Sequence, residues 1–306
     1  MKEIYYIDRL TQKIEQELVY GKFFIELLYG PTLFSRLLYK TIMPLICRFS
    51  LPSKIYGFLQ KSPKSKKKIA PFIKKFHVDV TEFLNPVTSY TSFNDFFIRK
   101  LKPDVRPMSH AKNIAVMPAD ARYLFYQNIA ASDGFLIKGA KFSIDDLLQD
   151  PELSKRYTGG AMLLARLCPT DYHRFHFPSD ATLCDTRELP GALFSVNPMA
   201  LRRNIQIFTE NKRSITTIQT EEFGQILYIA VGATYVGTIH HTYKKMGPYA
   251  KGEELGYFSF GGSSLVLLFE PGKILFDADL IANSAQKIET RALLGQSLGH
   301  SIKTNR

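Results

Sequence analysis

The stretch GYFSFGGSSLVLLFEPG, residues 256–272, places four consecutive small residues between two runs of strand-forming side chains. Aromatic residues dominate the first run, and the second is apolar from Leu265 to Phe269 before a Pro-Gly pair ends it. This pattern predicts two strands that meet at the Gly-Gly-Ser-Ser segment. Because glycine tolerates backbone conformations that other residues avoid, the backbone next to Ser263 can bend sharply. The segment therefore raises the question of what Ser263 does there.

Strand-like runs of the same kind fill most of the chain after residue 112, whereas helical patterns gather before it. SFNDFFIRKLKPDVRP (92–107) predicts a helix capped by Ser92 or Asn94 and ended by Pro103, and SIDDLLQD (143–150) predicts another. We therefore expect an α+β fold, with a β-rich core of mainly antiparallel strands and an N-terminal amphipathic helical region. The other strand-like runs are NIAVMPA (113–119), GFLIKG (134–139), AMLLARL (161–167), HRFHF (173–177), SITTIQT (214–220) and QILYIAVGATYVGTI (225–239).

The composition is that of a folded globular protein. Of the 306 residues, 45% are hydrophobic and 22% are charged, which excludes the disordered and fibrous classes. The three cysteines, Cys47, Cys168 and Cys184, form no Cys-x-x-Cys pair and leave an odd number. This pattern argues against a disulfide framework and a zinc knuckle, and favours a reducing compartment. The N-terminus has acids where an export signal has an apolar run, so we predict no such signal.

The first quarter of the chain carries almost all of its excess positive charge. The formal net charge is +12, and residues 1–76 hold 15 Lys or Arg against 5 acids. In residues 20–60, apolar side chains recur every three or four positions, and Pro31, Pro44 and Pro52 divide the run into short amphipathic helices. Such helices either pack on the core or lie in a membrane interface with an aromatic face inserted.

A lysine-rich segment, residues 61–75, follows these helices and contains seven lysines. Each cation near an anionic leaflet contributes about 1 kcal/mol of attraction, so an anionic membrane surface is the expected partner. No run reaches the roughly 18 uncharged apolar residues of a spanning helix. We expect no nucleic-acid partner, because no nucleic-acid module follows the lysines. We accordingly divide the chain into a membrane-associating helical region, residues 1–76, and a core, residues 77–306.

Three short clusters carry residues that can do chemistry: MPADAR (117–122), CPTDYHRFHFP (168–178) and FGGSS (260–264). They supply an acid, two histidines and a hydroxyl residue, the types found where an acid orients a base and the base activates a nucleophile. Each cluster alone is more typical of an ordinary turn or hairpin. The candidate residues are Asp120, His173, His176 and Ser263.

The second cluster also has a metal-binding interpretation. Cys168, Asp171, His173 and His176 can all act as ligands, but residues three apart on a strand point to opposite faces, and no common zinc spacing is present. We therefore predict no metal. If a single turn at Asp171 precedes the strand, both imidazoles instead border one pocket.

Together, the clusters and the segments between them resemble the phosphatidylserine decarboxylases. The similar segments span about two-thirds of the chain and keep the order and approximate spacing of that family. They are SFNDFFIRKLKPDVRP, VMPADAR, IKGAKFSIDDLL, CPTDYHRFHFP, GALFSVN, TEEFGQILYIAVGATYVGTI, KGEELGYFSFGGSS and LVLLFEPGK.

The resemblance implies a self-processing proenzyme. In that family the chain cuts itself between the glycine and the serine of a Gly-Ser-Ser/Thr motif, and the serine becomes a pyruvoyl group. Carried onto this sequence, the bond is Gly262–Ser263, and cleavage leaves a large chain (1–262) and a small chain (263–306). The resemblance further implies that Asp120 orients His176 and that His176 deprotonates Ser263. Pyruvate derived from Ser263 is then the covalent cofactor.

The resemblance also implies the reaction and the partners. The amine of phosphatidylserine forms a Schiff base with the ketone, carbon dioxide leaves, and hydrolysis gives phosphatidylethanolamine. His173 is the candidate proton donor to the carbanion. The expected partners are phosphatidylserine, an anionic membrane surface, and the large and small chains of one heterodimer or a higher oligomer. The expected location is peripheral, on the cytoplasmic face of a membrane.

Two departures from the family pattern and two rival functions complete the prediction. Ala121 stands where the family generally has glycine, and Gly-Gly-Ser-Ser replaces the common Leu-Gly-Ser-Thr; we choose Ser263 because it directly follows Gly262. The alternative is a serine hydrolase that uses Ser263, His176 and Asp120 on an external ester, although its Gly-x-Ser-x-Gly motif is missing. A basic membrane or nucleic-acid adaptor without enzymatic activity is the third hypothesis.

Overall fold

The computed structural model describes residues 3–48, 50–129, 143–233, 239–260 and 263–302. A ten-stranded sheet forms the centre of the described chain, and of its pairs only β1 with β15 is parallel. This architecture confirms the predicted α+β fold with mainly antiparallel strands. In sheet order, the strands are β11 (Gly247–Tyr249), β7 (Ala181–Leu189), β8 (Arg213–Gln219), β9 (Gln225–Gly232), β13 (Ser263–Phe269), β5 (Ala161–Leu167), β4 (Ala121–Tyr126), β15 (Glu289–Ala292), β1 (Tyr5–Asp8) and β2 (Ile14–Gln16).

Strand β13 lies in the middle of this sheet because it is apolar on both faces. All seven of its residues are buried, and it pairs over its whole length with β5 on one side and β9 on the other. Alternate side chains enter two separate apolar layers. Since burial of a large aliphatic side chain contributes about 1.5–3 kcal/mol, the strand firmly anchors its first residue, Ser263.

Two three-stranded sheets complete the β structure. The first contains β10 (Ile239–His241), β12 (Glu254–Phe258) and β6 (Arg174–His176), and the second contains β14 (Ile274–Phe276), β16 (Ser297–Ser301) and β3 (Ile114–Val116). In the first sheet, β6 carries one of the two candidate histidines and β12 leads toward the Gly-Gly-Ser-Ser segment. This small sheet therefore brings the histidine cluster to the start of β13.

The described helices are α1 (Lys22–Tyr29), α2 (Leu33–Arg48), α3 (Ser50–Lys61), α4 (Ile69–Phe76), α5 (Phe93–Phe97), α6 (Ile144–Leu148), α7 (Pro151–Tyr157), α8 (Pro198–Leu201), α9 (Ile207–Glu210) and α10 (Ala278–Ala285). Pro44 lies within α2, so the expectation that it separates two helices is wrong. A proline removes one helical hydrogen bond and bends a helix, but it does not have to end it. Pro52 lies near the start of α3, where a missing N–H costs little.

The predicted elements after residue 77 are largely confirmed. Ser92 caps α5, since its Oγ accepts the backbone N–H of Asp95 at 3.1 Å. The helix ends well before Pro103, because Leu101 pairs with Phe83 in an isolated β-bridge. The second predicted helix is α6, and the predicted strands correspond to β3, β5, β6, β8, β9, β12 and β13. The run GFLIKG (134–139) lies outside the described residues.

The N-terminal region contacts the rest of the chain at both ends. Within residues 5–16, β1 and β2 extend the large sheet where we expected helices, because β1 pairs with β15 and β2 pairs with β1. At the other end, the ring of Phe72 in α4 packs against Phe93 of α5, 5.3 Å between centroids. The predicted boundary at residue 76 thus crosses packed contacts.

Helices α1 to α3 carry an unusual number of exposed apolar side chains. They or the turns beside them expose more than half of the surface of Phe23, Leu33, Phe34, Leu37, Ile55, Phe58 and Leu59. The seven lysines of the lysine-rich segment, residues 61–75, are all exposed. None of the described helices is both long and apolar enough to cross a bilayer.

Candidate active site

The hydroxyl of Ser263 faces an imidazole. Its Oγ lies 3.3 Å from Nδ1 of His173, and the residue is 1% exposed. The next residue, Ser264, points to the other face of the strand, where its buried Oγ has no hydrogen-bond partner among the described residues. The structure therefore distinguishes the two serines of the motif. Only Ser263 is paired with a group that can accept its proton.

The chain is fixed on both sides of the predicted cleavage bond. Ser263 begins a strand that is paired on both edges. Before the motif, the backbone N–H of Phe260 donates to Oδ1 of Asn94 at 2.9 Å, and the Phe260 ring lies 4.8 Å from that of Phe97. Gly261 and Gly262, which connect these two anchors, lie outside the described residues.

His173 is fully buried, and its ring stacks on Phe97 with 3.9 Å between centroids. Its Nε2 lies 2.8 Å from the backbone carbonyl oxygen of Cys168. Because a carbonyl only accepts, Nε2 carries the proton and Nδ1 presents a lone pair to the Ser263 hydroxyl. Burial lowers the pKa of His173 to about 3, so the ring is neutral at pH 7. It has the position and the protonation state of a general base.

A tight turn, residues 168–171, holds this imidazole in place. The N–H of Asp171 donates to the Cys168 carbonyl at 2.9 Å, and the N–H of Cys168 donates back to Oδ2 of Asp171 at 2.7 Å. Nη1 of Arg122 reaches the same carboxylate oxygen at 2.5 Å. This is the turn that the sequence interpretation assumed before β6, and its carbonyl sets the orientation of His173.

His176 lies in β6 with both ring nitrogens engaged away from Ser263. Nδ1 donates to the carbonyl of Gly252 at 2.9 Å, and Nε2 accepts from the hydroxyl of Tyr172 at 3.3 Å. The rings of Tyr172 and His176 stack with 5.8 Å between their centroids. Burial lowers the pKa of His176, so this imidazole is neutral at pH 7 as well.

Asp120 precedes β4 and is held in a buried ion pair. Its carboxylate accepts hydrogen bonds from Nη2 of Arg106 at 2.7 Å, from Nε of Arg106 at 3.0 Å and from the backbone N–H of Leu294 at 2.8 Å. Arg106 also pairs with Glu82 at 2.8 Å. Asp120 lies near enough to His176 to favour the charged form of that imidazole, although its hydrogen bonds within the described chain go elsewhere.

The structure thus joins two of the four candidate residues directly. Ser263 and His173 are hydrogen-bonded, whereas the predicted order Asp120–His176–Ser263 is not the hydrogen-bonded order, because His176 and Asp120 have other partners. The catalytic roles of the four residues stay predictions, and Gly262 lies outside the described residues. In the described part of the chain, no group of three or more His, Cys, Asp or Glu side chains is arranged to share a metal ion.

Three contributors to the site were missed by the sequence reasoning. They are the Cys168 carbonyl, the Phe97 ring and the Arg99 guanidinium, which donates to the turn at residues 168–171. A backbone carbonyl leaves no trace in a sequence pattern. Phe97 and Arg99 do belong to the family-like segment SFNDFFIRKLKPDVRP, so their presence in that segment was the available signal.

Comparisons with known proteins find relatives over nearly the whole chain. A sequence model of phosphatidylserine decarboxylase matches residues 93–300. A phosphatidylserine decarboxylase proenzyme of Chlamydia felis (strain Fe/C-56) is 46% identical over 303 residues, which cover 99% of each chain. Proteins of the same name from Chlamydia pneumoniae and from Chlamydia trachomatis serovar L2 are 45% identical over 302 residues, covering 98% and 97% of each chain. All four candidate residues lie within the matched ranges.

Proposed function

This chain belongs to the phosphatidylserine decarboxylase family and is a decarboxylase, and from that premise we propose how it becomes active and what it acts on. It cuts itself between Gly262 and Ser263 and turns Ser263 into a pyruvoyl group. With that group it decarboxylates phosphatidylserine to phosphatidylethanolamine. The relatives are named as proenzymes, which supports synthesis as a precursor.

The observation that carries this proposal is the contact between Ser263 and a correctly oriented, neutral imidazole. Oγ of Ser263 attacks the carbonyl carbon of Gly262, and Nδ1 of His173 takes the hydroxyl proton. The C–N bond breaks as its nitrogen gains a proton, which leaves an ester between the two residues. Elimination across Cα and Cβ of residue 263 then releases the Gly262 carboxylate. One water hydrolyses the remaining enamine, so that ammonia leaves and a ketone is formed.

The residues around position 263 fit a pyruvoyl group. The position is the first of a central strand, so β5 and β9 hold its backbone, and the ring of His173, which stacks on Phe97, lies beside its side chain. When present, this group accepts the electron pair that departing carbon dioxide leaves behind. Nδ1 of His173 lies 3.3 Å from the Ser263 side chain, where it can hold and return a proton.

The base for self-cleavage is the one point where geometry and family resemblance differ. His173 already contacts the Ser263 hydroxyl, whereas His176 would first have to leave Gly252 and Tyr172. A catalytic hydrogen bond can form only in the reacting complex, so His176 with Asp120 stays the competing assignment. We favour His173 because it needs no rearrangement.

The burial of Ser263 favours self-cleavage over the action of a serine hydrolase on an external ester. With 1% of its surface exposed, this hydroxyl is reached by its own backbone more readily than by a foreign substrate. A fluorophosphonate probe that labels Ser263 in an uncut chain would instead support the hydrolase.

We also propose peripheral binding to the cytoplasmic face of an anionic membrane. The exposed apolar side chains of α1 to α3 and the seven exposed lysines of the lysine-rich segment supply the two attractions that an amphipathic anchor combines. Phe72, from the lysine-rich segment, packs on Phe93, and Phe93 packs on Phe260 with 5.0 Å between centroids. The membrane-facing part is therefore tied to the strand end that precedes the cleavage motif.

Mass spectrometry of the purified, denatured protein tests the proposal. Two fragments ending at Gly262 and starting at residue 263 are expected, with the smaller one blocked to N-terminal sequencing. Carbon dioxide release from phosphatidylserine vesicles tests the decarboxylation. This activity should be lost on treatment with hydroxylamine, which reacts with the ketone of a pyruvoyl group. A single intact chain with unmodified Ser263 would overturn the mechanism.

A further inference from the structure

An asparagine side chain holds the last described residue before the two glycines of the cleavage motif. The backbone N–H of Phe260 donates a hydrogen bond to Oδ1 of Asn94 at 2.9 Å, across 166 positions of the chain. Because a backbone N–H only donates, the amide oxygen of Asn94 faces it. Asn94 is none of the four candidate residues, so the reason for its presence has to be sought in its surroundings.

The surroundings of Asn94 are mainly aromatic. It belongs to α5, whose three phenylalanines are fully buried, and it is itself 8% exposed. Burial of an amide costs free energy unless the amide is hydrogen-bonded. Asn94 is not needed as the cap of α5, since Ser92 has that position. A leucine of similar size would suit the aromatic neighbours better, and the bond to Phe260 is what an asparagine adds.

Helix α5 is itself a fixed support. Oγ of Ser65 accepts the backbone N–H of Phe93 at 2.9 Å, and both residues are buried. The ring of Phe260 packs against the rings of Phe93 and Phe97, with 5.0 and 4.8 Å between centroids. The hydrogen bond from Asn94 therefore joins Phe260 to an element that is anchored on its own.

The rest of the chain around the two glycines is tied as well. The backbone N–H of Phe258 donates to the carbonyl oxygen of His173 at 2.9 Å, and Oγ of Ser259 lies 2.8 Å from Nε2 of His240. On the other side of the glycines, β5 and β9 hold the backbone of Ser263. Glycine has more backbone freedom than any other residue, so the fixed ends limit the conformations that the pair can adopt.

We propose that Asn94 is a positioning residue for self-cleavage, which holds the backbone at Phe260 and thereby limits the positions that the peptide bond before Ser263 can take. This inference rests on the proposed self-cleavage at Ser263, and it holds whichever histidine takes the proton. Asn94 acts through the chain and is not a reacting group.

The expected benefit is one of orientation. The hydroxyl of Ser263 has to meet the carbonyl carbon of the residue before it, an arrangement that an untethered Gly-Gly pair reaches only part of the time. Reacting groups that are already held in a productive arrangement lose less freedom on the way to the transition state. Loss of the bond to Phe260 lengthens the free segment, so cleavage slows although every reacting group is still present.

The test compares Asn94→Leu, Asn94→Ala and Asn94→Asp with wild type and with Gln127→Met. Leucine and alanine remove the hydrogen-bond acceptor, whereas aspartate keeps an oxygen in its place. Gln127 is the matched control, because its Oε1 accepts the backbone N–H of Phe276 at 3.0 Å in β14, which carries none of the candidate residues. Each precursor is made by pulse-labelled cell-free translation, and cleavage of the protease-resistant, folded fraction is followed at pH 7.5.

Hydrogen exchange measured by mass spectrometry reports the bond itself. In the uncut Ser263→Ala protein, the amide of Phe260, resolved from overlapping peptides, should exchange slowly. Addition of Asn94→Leu should speed its exchange by about tenfold or more, since the amide loses its acceptor. Addition of Gln127→Met should leave the exchange of this amide unchanged.

We expect Asn94→Leu and Asn94→Ala to cut about tenfold or more slowly per folded molecule. Asn94→Asp should cut faster than both, and Gln127→Met should cut at the wild-type rate. A wild-type rate in Asn94→Leu, or a loss no larger than in Gln127→Met, would overturn the inference. Cleavage of Asn94→Asp as slow as that of Asn94→Leu would also overturn it, because the effect would not follow the acceptor. If Asn94→Leu does not fold, a wild-type rate in Asn94→Ala overturns it.

Failure of the proposed function is recognisable in the same experiments. If wild type stays uncut while folded, self-cleavage at Ser263 is wrong whatever the exchange data show. If wild type cuts, and Asn94→Leu speeds the exchange of the Phe260 amide yet cuts at the wild-type rate, the proposed function stands and the role of Asn94 is wrong.

Discussion

The contact between Ser263 Oγ and His173 Nδ1 is oriented by a backbone carbonyl and not by an acid. In serine proteases a buried aspartate bonds to the second imidazole nitrogen and stabilises the imidazolium that forms. Here the Cys168 carbonyl occupies that position. A neutral acceptor fixes the tautomer but stabilises the charged ring less. In the proposed self-cleavage, which each molecule would perform once, correct orientation matters more than a high rate.

Ser263→Ala should leave the chain intact, and Ser264→Ala should not. Only Ser263 contacts an imidazole, whereas Ser264 lies on the other face of β13. Intact-mass measurement of both variants after overnight expression distinguishes them. Cleavage of Ser263→Ala before residue 263 would show that this hydroxyl is not the nucleophile.

His173→Gln should slow self-cleavage more than His176→Gln. Glutamine keeps an amide near the Cys168 carbonyl but has no basic nitrogen for the Ser263 proton, and removal of a general base typically costs about 10²–10⁴ in rate. A pulse-chase time course on folded precursors measures the order of the two variants. If His176→Gln is uncut while His173→Gln cuts normally, the base is His176, as the family resemblance implies.

The uncut Ser263→Ala protein should lose stability as the pH falls below about 6.5. Burial holds the pKa of His173 at about 3, so between pH 3 and 6.5 this histidine binds a proton in the unfolded chain but not in the folded one, and the lowered pKa of His176 acts in the same direction. His173 alone then costs about 1 kcal/mol of stability per pH unit. Urea unfolding at pH 7.5, 6.5 and 5.5 measures the slope, which should be smaller when His173→Gln is added. If the pH dependence of the unfolding free energy is the same with and without His173→Gln, His173 is not the histidine held neutral by burial.

Glu17→Gln should destabilise the protein by about 3 kcal/mol, because two buried arginines share this carboxylate and each then keeps one other, Arg122 that of Asp171 and Arg166 that of Glu289. Oε2 of Glu17 lies 2.6 Å from Arg166 and 3.2 Å from Arg122. Burial alone would raise the pKa of Glu17, but the two arginines lower it to about 2. The control is Glu152→Gln, from an exposed pair with Lys155, which should cost less than about 0.5 kcal/mol. Equal losses in urea unfolding would refute this.

Phe34→Ser combined with Leu37→Ser should weaken binding to vesicles that contain phosphatidylserine at least tenfold. Both side chains are 60% exposed on α2, so folding is not expected to suffer. Leu275→Ser, at an exposed apolar residue of β14, is the matched control. Sedimentation with vesicles measures binding at low and at high salt. High salt screens the attraction of the lysines, so the binding that remains reports the contribution of the apolar side chains. Equal binding by all three proteins would rule out α2 as part of the membrane surface.

The strands were predictable where pairing follows from the residues themselves. Apolar runs such as 161–167 and 225–232 form central strands, in which both faces are buried. Tyr5–Asp8 was not recognised as a strand, since its pairing with Glu289–Ala292 is a contact across nearly the whole chain. Such a partner cannot be read from a local pattern.

At the site, the sequence indicated which residues gather but not how they connect. Ser263, His173, His176 and Asp120 were all identified from their clusters, and three of the hydrogen-bond partners that orient them are backbone carbonyls or N–H groups. These groups are the same in every residue type. Which histidine meets Ser263 therefore depends on the turn at 168–171 and was decided only by the fold.

The central place of β13 means that a break before Ser263 cannot release the small chain from the large one. The 44-residue tail would still contribute the middle of one sheet, two strands of another and the parallel partner of β1. Once cut, the two polypeptides would stay associated, because the strands of the small chain remain paired inside the sheets of the large one. The information needed to fold them is then spread over separate molecules, so unfolding the finished enzyme would be a one-way event.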